Sequence, residues 1–234
     1  MVKVAIHQPQ YLPWLPYFLK IEASDLFIFL DTVDFQKNGV QNRNKIKTHQ
    51  GAQWLTVPVK QKAGQKIIDT PINNQGNWKH KHWQAIKQCY GKTPGFFKYQ
   101  QELEGLYSSE WHTLGELNIE FTRLILKWMK IDTPIVRSSE LESQGKASEL
   151  ILNLCLEVGA DVYLSGIGGA NYLEESKFLN SGVVIEYNSP ILPNAYPQRR
   201  SNQGFIGDLS ALDIMLNCYE NWRSYLPESV NSND

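Results

Sequence analysis

The chain has 234 residues, a formal net charge of −1, 42% hydrophobic and 20% charged residues. A chain of this length buries roughly 70–75% of its unfolded surface, so it needs neither metal nor disulfide to fold, and its near-neutral balance argues against generic nucleic-acid binding. Cys89, Cys155 and Cys218 form no CxxC pair, so no metal site is expected, and the lack of a basic apolar leader or a long apolar run points to a protein that neither spans a membrane nor is exported, in a reducing cytoplasmic setting.

The first apolar run, Val4 to Ile6, reads as a strand buried on both faces, with His7 and Gln8 at its carboxyl end. Pro9, Pro13 and Pro16 stiffen the exit, and Pro13 or Pro16 can open a helix through Tyr17, Phe18, Leu19 and Ile21. Leu26 to Leu30 begins a second strand after Ser24-Asp25 and ends at Asp31. Positions 34–47 lack a hydrophobic period and read as a polar loop. Gln53 to Val59 is strand-like, and Ile67 to Ile72 can return as its hairpin partner.

Helices are expected next: Trp78 to Tyr90 with Asn77 as cap, a second opened by Pro94 with Phe97, Leu103 and Leu106 inward, and a third across Trp111 to Met129. The α/β pattern then resumes. Ile135-Val136 is a short strand, Ser148 to Val158 a helix, Asp161 to Leu164 a buried strand, Asn171 to Leu179 a short helix and Val183 to Tyr187 another strand. Positions 188–208 are rich in Pro, Asn and Gly and read as an extended surface segment before a last helix, Leu209 to Asn217. The sum is a single α/β domain over 1–227: a Rossmann-like, mostly parallel sheet with a β-hairpin insertion at 53–72, a helical middle region at 77–130 and a disordered tail at 228–234.

Three polar sets fall at predicted strand ends, where α/β proteins bind their ligands. His7 and Gln8 are the catalytic candidates, since an imidazole can polarise a phosphate or move a proton. Asn42, Arg43, Asn44 and Lys47 offer donors to a phosphate, Arg43 in bidentate fashion. Ser165, Gly166, Gly168 and Gly169 form a bend whose backbone can approach an anion closely. Tyr11, Trp14 and Trp54 are candidate stacking surfaces. Trp78, His80, Lys81 and His82 read as surface or partner residues, because His80 and His82 point to different sides of a helix. Asp25, Asp31 and Asp34 suit caps and turns.

Taken together, His7-Gln8-Pro9-Gln10-Tyr11-Leu12-Pro13-Trp14, Asp25 to Asp31 with Phe35, Asn42-Arg43-Asn44, Trp54 to Val59, Tyr163 to Gly166 with Gly168-Gly169, and Tyr196-Pro197-Gln198 resemble the WbqC-like family over nearly the whole chain. The departures are Pro16, where the family usually has glycine, and the missing His-Pro before Tyr196. The resemblance implies a protein of surface-polysaccharide (O-antigen) biosynthesis, a transferase or ATP-dependent amide ligase that attaches glycine or another small acyl group to an amino-sugar nucleotide. Its partners would be a nucleotide sugar and a small amino acid. The opening and the run Leu164 to Leu173 also resemble adenylate-forming nucleotidyltransferases such as pantothenate synthetase, although the HxGH signature is absent. That second resemblance adds Tyr172 to the binding candidates and implies ATP with Mg as the cofactor. The alternative is a binding protein that holds a nucleotide sugar, with Tyr11, Trp14 and Trp54 stacking on it, without turnover. RNA contact through Asn42 to Lys47 is the weakest reading of a chain this neutral.

Overall fold

The computed structural model describes residues 1–199 and 201–228. Five strands make one sheet: β1 (Lys3–His7), β2 (Leu26–Phe29), β5 (Ile135–Arg137), β6 (Val162–Gly166) and β7 (Val184–Asn188), in the order β5-β2-β1-β6-β7. All four neighbouring pairs are parallel. The chain leaves β1 toward one edge, through α1 (Leu15–Glu22) to β2 and on to β5. It then crosses back over α5 (Ala147–Glu157) to β6, and over α6 (Glu175–Asn180) to β7. The winding therefore reverses between β1 and β6, which opens a crevice at the carboxyl ends of these two strands.

Strand periodicity divides the core between the two faces of the sheet. Val4, Ile6, Ile28 and Tyr163 pack with Leu150, Ile151, Leu154 and Phe178 beneath α5 and α6. Ala5, Phe27, Phe29 and Leu164 face the larger cluster, built by α1 together with α2 (Trp78–Tyr90), α3 (Pro94–Ser108), α4 (Leu114–Met129) and α7 (Ala211–Cys218). Helix α4 opens with a capping box in which Thr113 and Glu116 satisfy each other's amide. Asn77 stands at the cap position of α2, but its side chain makes no capping bond.

The fold class is as the sequence predicts, but the hairpin lies elsewhere. It pairs β3 (Arg43–Thr48) antiparallel with β4 (Gly51–Thr56) across a tight turn that ends at Gly51, whose φ is 97°. The end of the polar segment at 34–47, from Arg43 on, is thus a strand. It escapes a hydrophobic-period reading because Asn44, Lys47 and Thr48 are buried polar side chains with internal partners. Of the 53–72 pairing only a bridge between Val59 and Ile72 survives. Of the inward positions expected in α3, Leu103 is buried and Leu106 packs partly buried against the core, but Phe97 is 64% exposed and Phe96, Tyr99 and Tyr107 face inward instead. The helix expected at 171–179 resolves into a 3₁₀ turn at Ile167–Asn171 and the shorter α6. Trp78 and His82 are core residues rather than surface residues, with His82 Nδ1 2.9 Å from the hydroxyl of Tyr11. The expected disordered tail lies, beyond Glu228, outside the described residues. Among the described residues no helix is long and apolar enough to cross a membrane.

Candidate functional site

The crevice between β1 and β6 carries two adjoining lobes of ≈ 220 and ≈ 300 Å³. His7, Lys20, Gly166 and Gly168 line both. The smaller lobe continues along Trp14, Pro16, Tyr17, Ile167, Asn188 and Pro190. The larger is completed by Gln8, Leu30, Ile151, Tyr163, Ser165 and Tyr172, among others. The histidine at the end of the first strand and the glycine bend 160 positions later therefore face one hollow, at the place where open α/β sheets take ligands.

His7 is half-buried, with its ring edge-on to Tyr17 at 5.0 Å between centroids. Its Nδ1 lies 3.2 Å from the Gln8 carbonyl and 3.4 Å from the Gln10 side-chain amide. Burial, reinforced by the charge of Lys20, pulls the imidazole down to about 3, so it is neutral at physiological pH. Lys20 is 6% exposed and donates to the Ile6 carbonyl at 3.0 Å. Burial lowers its ammonium to about 8, which leaves it mostly charged at pH 7. An anion entering the crevice would meet a desolvated cation beside a neutral imidazole, and would draw the basicity of both upward.

Lys20 escaped the sequence reading. The available signal is its position inside the run Tyr17-Phe18-Leu19-Lys20-Ile21, where every neighbour is buried and a lysine has no business without a task. Gln8 lines the larger lobe, but its Oε1 accepts from Gln41 at 2.7 Å and its carbonyl accepts from Tyr17.

The glycines divide by role. At Gly169 an added Cβ would fall 2.1 Å from Ser165 Oγ and 2.8 Å from Leu173 Cδ1, so packing alone requires glycine. At Gly166 and Gly168 a Cβ would meet nothing within 4 Å, and neither position has a positive φ. The fold does not need glycine there, and a side chain would occupy the hollow. Gly168→Val is accordingly expected to leave the melting temperature within about 2 °C of wild type while reducing ligand affinity at least tenfold. Gly169→Ala should instead lower stability by about 1–3 kcal/mol, as overpacking does. Differential scanning fluorimetry and calorimetric titration separate the two outcomes.

The hairpin candidates are not brought to this hollow. Asn42 Nδ2 donates to the Val57 carbonyl and Asn44 Nδ2 to the Leu12 carbonyl, at 3.0 and 2.6 Å. Lys47 is buried and donates to Gln198 Oε1 and the Gly204 carbonyl. Gln198 in turn donates to Asp213 Oδ2, which also accepts from Tyr196, while Tyr90 donates to Oδ1. Arg43 lies over the exposed Trp54 ring, 4.6 Å from its centroid. Tyr11 is fully buried, its hydroxyl shared with His82 and Tyr107, so it offers no stacking face. Trp14 does line the smaller lobe, and the half-exposed Tyr172 the larger. Asp31, read as a cap or turn residue, is wholly buried and accepts from Ser138 and Ser139 at the ends of β2 and β5. Among the described residues no group of three or more His, Cys, Asp or Glu is placed to hold a metal ion.

Residues 8–225 match the model of the WbqC-like protein family. An uncharacterized protein of Mycobacterium tuberculosis is 34% identical over 220 residues, covering 93% of this chain and 94% of that one. No solved structure matches the chain.

Proposed function

The chain belongs to the WbqC-like protein family, and we propose that its crevice binds the phosphates of a nucleotide in a transferase or ligase that joins glycine or another small acyl group to an amino-sugar nucleotide of surface-polysaccharide biosynthesis. The observation that carries the reading is the convergence of Lys20, His7 and the open backbone of Gly166 and Gly168 at the switch point of the sheet. A desolvated ammonium and close-approaching backbone serve phosphate oxygens, and in a low-dielectric crevice such groups stabilise developing charge by a few kcal/mol each.

With ATP as co-substrate, a carboxylate oxygen of the acyl donor attacks the α-phosphorus and pyrophosphate leaves with the bonding pair. The amine of the sugar then attacks the acyl carbon, AMP leaves, and the amine proton passes to solvent. Lys20 would neutralise charge on the phosphoryl oxygens. His7, neutral and weakly basic, would hydrogen-bond them rather than abstract a proton. Magnesium would enter on the nucleotide phosphates.

The low basicity of His7 favours one further reading, binding of a nucleotide sugar without turnover. Calorimetric titration of ATP and a panel of nucleotide sugars, with pyrophosphate and AMP release followed in the presence of glycine, tests both. The proposal expects micromolar to millimolar affinity in wild type and at least a tenfold loss in His7→Ala. Binding with no product under any acyl donor selects the second reading, and unchanged affinity in His7→Ala removes both.

A further inference from the structure

The two lobes differ in chemistry, and the smaller holds a polar group the fold leaves idle. Its walls are Trp14, Pro16, Tyr17, Ile167 and Pro190, flat or apolar surfaces around ≈ 220 Å³. Asn188 stands among them at the end of β7, opposite Gly166 in the β6–β7 register. Among the described residues its side-chain amide has no hydrogen-bond partner, although the residue is half-buried; Asn44, by contrast, uses both its amide nitrogen and its oxygen. Water in the open crevice can serve that amide, and a ligand that offers a matching donor and acceptor would take the water's place.

We infer that the smaller lobe is a nucleobase pocket, in which Asn188 reads the edge of the heterocycle. An asparagine amide offers one donor and one acceptor side by side. Nucleobases present an adjacent acceptor and donor on their pairing edge; a phenyl ring does not. The indole of Trp14 and the ring of Tyr17 supply apolar area for a planar ring, which aromatic contacts in nucleotide sites commonly do. Lys20, His7, Gly166 and Gly168 border both lobes, so a base in the smaller lobe leaves its phosphates between them and the rest of the ligand in the larger. The assignment rests on the reading that this crevice takes a nucleotide, and it adds the element that tells a nucleotide from a bare polyphosphate.

Tripolyphosphate, ATP and UTP titrated into wild type, Asn188→Leu and Asn188→Ala give the test. Leu and Ala at the end of an edge strand leave the sheet ladder intact, and circular dichroism verifies the fold. At least one nucleotide should bind the wild type more tightly than tripolyphosphate. Both variants should lose about tenfold toward that nucleotide, the equivalent of one or two hydrogen bonds, with tripolyphosphate unchanged. If a nucleotide binds and its advantage over tripolyphosphate survives in both variants, the base pocket is wrong while the phosphate site stands. If nucleotide and tripolyphosphate both fail to bind the wild type, the nucleotide reading itself falls and takes this assignment with it.

Discussion

Lys20→Met is expected to make the protein more stable and to cost it nearly all affinity for phosphate-bearing ligands. Lys20 lies in the apolar heart of α1, and burial has brought its ammonium from 10.5 to about 8. Holding that charge in the folded state at neutral pH costs about 3 kcal/mol relative to the unfolded chain. Methionine fills similar volume without the charge and forfeits only the bond to the Ile6 carbonyl, so a net gain of about 1–2 kcal/mol in urea denaturation is the expected result. The pH dependence has a fixed sign. Between pH 8 and 10.5 the unfolded wild-type chain binds the proton that the folded lysine has lost, so stability rises with pH across that window. In Lys20→Met the rise disappears. Affinity of the wild type for tripolyphosphate should fall as pH climbs through 8, and the variant should bind at least a hundredfold more weakly at pH 7, since removing a desolvated charge from an anion site costs several kcal/mol. A variant that is less stable and binds normally would show that Lys20 is merely a packing residue.

Asp213→Ala should have the opposite effect on stability, a loss of about 3–5 kcal/mol measured by chemical denaturation. Asp213 is wholly buried, and burial pushes its carboxyl above the usual range while Tyr196, Tyr90, Gln198 and the charge of Lys47 pull it back. Truncation removes the acceptor of two tyrosine hydroxyls and one of the acceptors of the Gln198 amide, which keeps the Ile206 carbonyl, and leaves the Lys47 ammonium buried without its counter-charge. Asp213→Asn keeps acceptor geometry on one side and should lose less. Equal losses in the two variants would mean that charge dominates the cluster and hydrogen-bond counting does not.

The three inner strands of the sheet were legible in the sequence because they are buried on both faces and read as unbroken apolar runs at Val4–Ile6, Leu26–Leu30 and Val162–Leu164. The hollow was legible by the same token, since His7 and the glycine bend follow two such runs. The hairpin was not. β3 buries Asn44 and Lys47 against groups distant in the chain and Thr48 against the Gly51 carbonyl of its own turn, and a period-2 hydrophobic pattern cannot register polar burial. Arg43 and Lys47 accordingly read as an anion-binding loop, whereas one stacks on Trp54 and the other neutralises a core. Lys20 and Asn188 stayed hidden for the converse reason. Lys20 sits in a helix assigned on its apolar members, Asn188 falls at the head of a stretch that reads as an extended surface segment, and only the spatial arrangement shows that they border the same space as His7.

The segment that follows β7 runs from the crevice to the core. Pro190 stands in the wall of the smaller lobe, while Tyr196 and Gln198, a few residues on, are clasped by Asp213 and Lys47. One stretch of backbone is thus both a wall and a tether. A random mutagenesis screen for lost ligand capture should return two unlike groups of positions, one edging the crevice and one surrounding the clasp. The second group would be recognisable by restored capture at low temperature, where a slackened tether tightens again.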